Sequence, residues 1–287
     1  MKTTEEMVGV NRRQAEFYDS IHAAEADKGH GGYAQNQRAN LFTRAWATLR
    51  YQQQAAVREF GIEARVKRSH EEWARRKAGG RFLEVGCFSG SRMTFTLAGI
   101  SGTYLGVELS AKAVAALNEK FEAAGLSGKA QAHAVDFLTM EASDPFDFLY
   151  AHGVLHHFEN PQPLFSKLAS LAKPDAILVF AEPAAIHPLY RVLRALYRPF
   201  QSDADWEWPF NCRTVEALET YFEPVEGYGW GAWSLPLSVL TGLPLIGGLA
   251  RRFYLDQVRR EVEAPWGAGV WNNSYVTAVY RPKRRNP

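Results

Sequence analysis

The feature that most constrains this chain is a rhythm between residues 80 and 183. Five short apolar runs read as strands: RFLEV (81–85), TYLGVEL (103–109), AQAHAV (130–135), FDFLYA (146–151) and AILVFAE (176–182). Between them, SAKAVAALNEKFEAA (110–124) and PQPLFSKLASLAK (161–173) space their apolar residues as helices do. Apolar strands that alternate with helices predict a doubly wound, mostly parallel α/β sheet covered on both faces. Ser110 stands where a helix needs an N-cap, and Gly125 where one ends in a glycine.

The flanks break this rhythm. Residues 1–78 are polar and helical in pattern, interrupted by the glycines of KGHGGY (28–33). Within them, NLFTRAWATLRYQQQAAVREF (40–60) has apolar residues near a 3.6 period. We expect residues 1–78 to form a helical lid and residues 79–287 the core. After Glu182 the pattern predicts helices in 191–200 and 214–222 and a strand in 224–233. A long β-like run, GVWNNSYVTAVYRPK (269–283), closes the chain. Residues 184–268 are expected to insert before that last strand and bind the acceptor.

In an open parallel sheet, ligands bind beyond the carboxyl ends of the strands. The first strand is followed by Gly86, Cys87, Phe88, Ser89 and Gly90, a turn that lets a ligand approach the backbone. The helix beginning near Gly90 offers free N–H groups and a positive dipole end. The second strand ends in Glu108, a carboxylate able to accept both hydroxyls of a ribose. The third ends in Asp136 and Phe137, an acceptor for an amino group beside an apolar side chain. The fourth ends in HGVLHHF, His152 to Phe158. Taken singly, each has a bland reading: a turn, an exposed acid, a packed histidine. Four successive strand ends suited to a nucleoside favour the functional one.

The set FLEVGCFSG, YLGVELS, AVDFL, FDFLYAHGVLHHF and LAKPDAILVFAEP resembles the successive motifs of the class I S-adenosylmethionine-dependent methyltransferases, over roughly residues 80–183. The resemblance implies a Rossmann-like seven-stranded sheet with an antiparallel last strand. It also implies S-adenosylmethionine as cofactor. It places Glu84, Gly86, Cys87 and Gly90 around the methionine part and Glu108 on the ribose, with Leu109 beside the adenine. Asp136 and Phe137 fall at the adenine edge, and His152 where the backbone meets the methionine amino group. Tyr18 and Tyr33 would lie over the cofactor as part of the lid. The family usually has glycine where this chain has Phe88. Read as a dinucleotide fingerprint, GCFSGS lacks glycine at its third and sixth positions, which disfavours a nicotinamide enzyme.

His156 and His157 follow the fourth strand and are the candidate bases, His156 slightly ahead; Glu182 and His187 rank second. Packing or cofactor support is an equal reading of LHHF. The implied reaction is methyl transfer to a small or medium-sized, partly apolar acceptor such as a natural product, a sugar derivative or a lipid-linked molecule. Oxygen is the leading target, and nitrogen, carbon or non-catalytic binding the alternatives. The aromatics of 190–233 suit such an acceptor, and Arg191, Arg194 and Arg198 share a helical face that could hold an anion.

A net charge of +2 gives no strong field for nucleic acid, so no nucleic-acid partner is expected. The scattered Asp136, Asp144 and Asp147 make no ligand set, so no metal is expected. Two cysteines and no signal-like N-terminus suggest a reducing, cytoplasmic setting. WSLPLSVLTGLPLIGGLA (233–250) is interrupted by prolines and shorter than the roughly 20 residues a spanning helix needs. It leaves peripheral lipid contact open, as is a homo-oligomer.

Overall fold

The computed structural model describes residues 9–20, 57–141, 144–201, 203–241 and 245–283, with 43, 44, 47, 51, 54 and 55. Tyr33, KGHGGY and most of the expected helix over 40–60 lie outside the described residues. The sheet has seven strands: β1 (Arg81–Val85), β2 (Thr103–Glu108), β3 (Ala130–Ala134), β4 (Phe146–His152), β5 (Ala172–Pro183), β6 (Phe222–Trp230) and β7 (Tyr275–Pro282). Their order is β3-β2-β1-β4-β5-β7-β6. Strands β1 to β5 pair in parallel, and β7 runs antiparallel between β5 and β6. All five strands expected between 81 and 182 are present.

The helices are α1 (Ile62–Arg75), α2 (Arg92–Ile100), α3 (Ala111–Ala123), α4 (Pro161–Leu171), α5 (Pro188–Tyr197), α6 (Cys212–Tyr221), α7 (Ser234–Leu240) and α8 (Gly247–Glu263). Residues 9–20 are helical as well. Ser110 caps α3 by accepting from Ala113 N, and Gly125 takes the left-handed turn behind it at φ 68.

Alternation along the strands divides the core into two layers. Phe82, Tyr104, Phe148 and Tyr150 face α2 and α3. Leu83, Val85, Leu149 and Phe180 face α4, α6 and Trp271. A third cluster packs Ile62 and Val66 of α1 with Tyr228, Trp230 and Tyr254 against the β6 edge. The chain leaves the sheet at the carboxyl ends of β1 to β4, into a helix after β1, β2 and β4 and into a turn after β3, which gathers those ends on one rim.

Candidate functional site

The turn after β1 is left-handed three times: Gly86 at φ 74, Phe88 at φ 43 and Gly90 at φ 85. Glycine takes such angles freely, whereas Phe88 carries a Cβ into them. A Cβ on Gly86 would also come within 2.5 Å of Val154 in the loop after β4. The Phe88 ring meets the Tyr18 ring edge-on at 6.2 Å, and its backbone N–H donates to Glu108 Oε2 at 3.2 Å. Phe88 thus joins the β1 turn both to the end of β2 and to the segment above it.

Glu84 points into the protein. Its carboxylate accepts from Thr94 Oγ1 at 3.0 Å and from Tyr104 OH at 2.7 Å. Burial pushes its carboxyl up to about 7 despite both donors. Cys87 is buried beside it. Glu108, half-buried, accepts from Leu109 N at 2.8 Å, Ser110 N at 3.1 Å and Phe88 N at 3.2 Å. Burial raises its carboxyl against the pull of these donors. A carboxylate has about four lone-pair positions, so three donors fix its orientation and leave room for another.

Asp136 accepts from Leu138 N at 2.9 Å and from the side-chain amide of Asn11 at 2.6 Å. Phe137 is buried in the core with its ring edge-on to Phe158. His152 projects to the other side, toward α1. It stands 3.3 Å from Tyr150 OH and shares an aromatic cluster with His70 and Tyr275.

Residues 9–20 lie across the rim. Besides the Asn11 contact, Asp19 accepts from Ser110 Oγ at 2.5 Å, and Phe17 packs edge-on to Trp206. Tyr18 OH lies 3.0 Å from His157 Nε2. The ends of β2, β3 and β4 are therefore roofed by one short helical segment.

The two histidines have opposite electrostatics. His156 lies between two carboxylates, with Nδ1 2.6 Å from Glu182 and Nε2 3.3 Å from Glu207. Burial alone would lower it, but these hydrogen bonds win and push it up to about 9. Glu182 also accepts from Val154 N and Leu155 N, and Glu207 is paired with Arg194. His157 is lowered to about 4 by burial and by the positive His156 beside it. Its Nδ1 lies 2.7 Å from the carbonyl oxygen of Trp206, which can only accept. That contact puts the proton on Nδ1 and leaves the Nε2 lone pair facing Tyr18.

His156, His157 and Glu207 also bring ligand-type atoms within 4.8 Å of one another. Both His156 nitrogens are already engaged, however. Glu182 and Glu207 are partnered by His156 and Arg194, so the carboxylates of the cluster already have donors.

The expected rim groups Glu108, Asp136, Tyr18, His156 and His157 are brought together with the Gly86–Gly90 turn. The side chains of Glu84 and His152 are not. Glu182, fully buried and holding His156, has no access to an acceptor, and His187 is buried against Trp233. The arginine face is also divided: Arg194 pairs with Glu207, Arg198 donates to the carbonyls of Ala204 and Glu207, and Arg191 is exposed. Asn11, Asp19 and Glu207 were missed in sequence, because nothing local links them to the strand ends. The nearest signal is the position of Glu207 within the aromatic stretch DWEWPF.

The groups fit an adenosyl cofactor. Asp136 already holds an amide N–H of the kind an adenine amino group offers, and Glu108 presents an oriented carboxylate to a diol.

A methyltransferase-domain family model matches residues 52–223. The fold is shared with the YcgJ protein of Bacillus subtilis, at TM-score 0.52 and 12% identity, over 78% of this chain and 100% of that one. N-methyltransferase NodS of Bradyrhizobium japonicum WM9, solved with S-adenosyl-L-homocysteine, aligns at TM-score 0.48 and 14% identity, over 76% of this chain and 88% of that one. Geranyl diphosphate C-methyltransferase of Streptomyces coelicolor A3(2) aligns at TM-score 0.49 and 12% identity, over 77% and 82%. No curated protein sequence matches. With more than half its length matched by the family model, and with the family's sheet, the chain belongs to the class I S-adenosylmethionine-dependent methyltransferases.

Proposed function

We propose that this methyltransferase modifies a hydroxyl oxygen of a small or medium-sized, partly apolar acceptor: a natural product, a sugar derivative or a lipid-linked molecule. The observation that carries this reading is His157 Nε2, whose lone pair the Nδ1 contact to Trp206 turns to the roofed rim, where the Tyr18 hydroxyl donates to it and an acceptor hydroxyl would take that place. A hydroxyl is a poor nucleophile until its proton is taken, and a neutral imidazole within hydrogen-bond reach can take it. His156 cannot, because a protonated imidazole has no lone pair. Its role is to position His157 through the loop that Glu182 and Glu207 hold. This reverses the order of the two histidines expected from sequence.

S-adenosylmethionine, when bound, supplies a methyl group on a sulfonium. The chain's contribution is orientation. Glu108 takes the ribose hydroxyls, with Leu109 beside the adenine. Asp136 takes the adenine amino group next to Phe137. The Gly86–Cys87–Gly90 turn, the buried Glu84 behind it and the His152 backbone frame the methionine part. Residues 1–78 act as the lid: Tyr18 covers the rim, and Tyr33 is assigned with it. Residues 184–268 shape the acceptor pocket, Trp206 being their nearest part to His157. Among the described residues, no helix is long and apolar enough to cross a membrane. Two free thiols, Cys87 buried and Cys212 exposed, suit a cytoplasmic setting.

The test is a panel of phenols, sugar hydroxyls, amines and carbon acids incubated with S-adenosylmethionine, each product located by mass and NMR. O-methyl products are expected. His157→Gln should lower kcat roughly a hundredfold or more while calorimetric binding of S-adenosylhomocysteine stays unchanged. Products methylated only on nitrogen or carbon would overturn the oxygen assignment, and cofactor binding without any product would favour a non-catalytic role.

A further inference from the structure

Most of the large apolar side chains exposed among the described residues lie in two neighbouring segments. Helix α5 turns Leu189, Val192 and Leu196 to solvent at positions i, i+3 and i+7, one helical face. The second segment exposes Trp233, Leu240, Leu245, Ile246, Leu249 and Phe253, the last two on α8. Leu245 is fully exposed and holds a left-handed φ of 72, so a leucine protrudes where a polar or glycine turn residue is expected. The segments meet where His187, just before α5, packs edge-on against Trp233, just before α7, at 4.9 Å. Exposed apolar groups gathered in two segments that touch at this contact mark a contact surface.

The charge around it is one-sided. The sequence has no Asp or Glu from Pro183 to Ser202, nor from Gly227 to Leu255. The same stretches carry Arg191, Arg194, Arg198, Arg251 and Arg252. Arg194 is turned inward onto Glu207 and Arg251 is paired with Glu59, whereas Arg191, Arg198 and Arg252 are exposed. The whole-chain charge of +2 conceals this local excess.

We propose that this face docks on an anionic bilayer surface, with Val192, Leu196, Leu245 and Phe253 entering the interface and the arginines meeting lipid phosphates. A second copy of the chain fits less well. A two-fold contact would set arginines against arginines with no carboxylate in either stretch to pair them. An anionic interface satisfies both the apolar and the basic part. The inference goes beyond the methyl-transfer reading and does not depend on it, since binding is read without cofactor or acceptor.

The experiment is flotation of the full chain with phosphatidylcholine vesicles, with and without phosphatidylglycerol, alongside light scattering of the protein alone. Binding to the mixed vesicles is expected, weakening in high salt and on pure phosphatidylcholine. Val192→Ser with Leu196→Ser, and Leu245→Ser with Phe253→Ser, should each reduce binding at least about tenfold. Arg191→Glu with Arg252→Glu should reduce it about tenfold or more on the anionic vesicles only. These side chains are exposed, and an unchanged melting temperature verifies that the variants fold. Failure to bind either vesicle would overturn the proposal, as would binding that the variants leave intact. A stable dimer that Val192→Ser with Leu196→Ser dissociates would assign the face to a second copy instead.

Discussion

Replacing Phe88 by glycine and, separately, by alanine tests the backbone of the β1 turn through the sign of one difference. Phe88 is held at φ 43. Left-handed backbone costs a residue bearing a Cβ roughly 1–2 kcal/mol, a cost glycine does not have. Both substitutions remove the ring and with it the edge contact to Tyr18 at 6.2 Å, worth about 0.5–1.5 kcal/mol, so that loss cancels between them. What remains is strain relief in the glycine variant, opposed by the larger conformational freedom of unfolded glycine, about 0.5–1 kcal/mol. Phe88→Gly should therefore be more stable than Phe88→Ala by about 0.7 kcal/mol at the middle of these ranges, the reverse of the order inside a helix or strand. Urea unfolding followed by circular dichroism resolves a difference of this size if the slopes of all three proteins agree. An alanine variant as stable as the glycine variant, or more so, would refute the reasoning. The turn would then relax out of the left-handed region, and the family's glycine at this position would reflect close cofactor approach rather than backbone angle.

Glu108→Ala should weaken S-adenosylmethionine binding by about tenfold or more in calorimetry, since a charge-assisted pair to a diol is lost; unchanged affinity would remove Glu108 from the ribose. Glu84 makes stability fall with rising pH. Its folded carboxyl is raised to about 7 from an ordinary 4.5, so the unfolded chain binds fewer protons between those values. The loss is roughly 3 kcal/mol across that window and should vanish in Glu84→Gln, measured as urea midpoints at about pH 5 and 7.5. Because both His156 nitrogens and both neighbouring carboxylates are already partnered, methyl transfer should survive exhaustive chelation; a loss restored by one divalent metal would reopen the His156–His157–Glu207 cluster as a cation site.

The five strands between 81 and 183 were legible because they are short, mainly apolar runs set between helical ones, and the rim because a parallel sheet turns each strand end into a ligand-facing position. Glu108 and Asp136 stood out as acids at strand ends, and their roles came from the resemblance to the methyltransferase motifs. The limits are physical. β5 begins at Ala172 rather than 176, because Ala172 still pairs with Phe146 across a register shift that the lysine and proline before Asp175 conceal. β7 begins at Tyr275 rather than 269, because Val270 and Trp271 bury themselves in the core from a short 3-10 turn instead of joining the sheet. Residues that reach across the fold were not legible: Asn11 to Asp136, Asp19 to Ser110 and Glu207 to His156 are contacts without a local sequence pattern. The spacing of Arg191, Arg194 and Arg198 implied a shared face, but α5 ends at Tyr197, Glu207 turns Arg194 inward, and the apolar side chains of α5 face out.

Adjacent histidines show the limit most sharply. In sequence, His156 and His157 are the same imidazole written twice. In the fold, one lies between Glu182 and Glu207, and the other against the carbonyl of Trp206. Two carboxylates make the first an imidazolium, and its positive charge helps keep the second neutral. A charge placed beside a base to keep it unprotonated is a pairing effect, and neither residue carries it alone. Removing the charge of His156 should therefore make His157 more basic. It follows that His156→Gln should shift the acid limb of a methyl-transfer pH profile upward, with the sign set by loss of the neighbouring positive charge. A downward shift, or none, in a variant that still folds would mean that His157 is not the group whose lone pair the reaction uses.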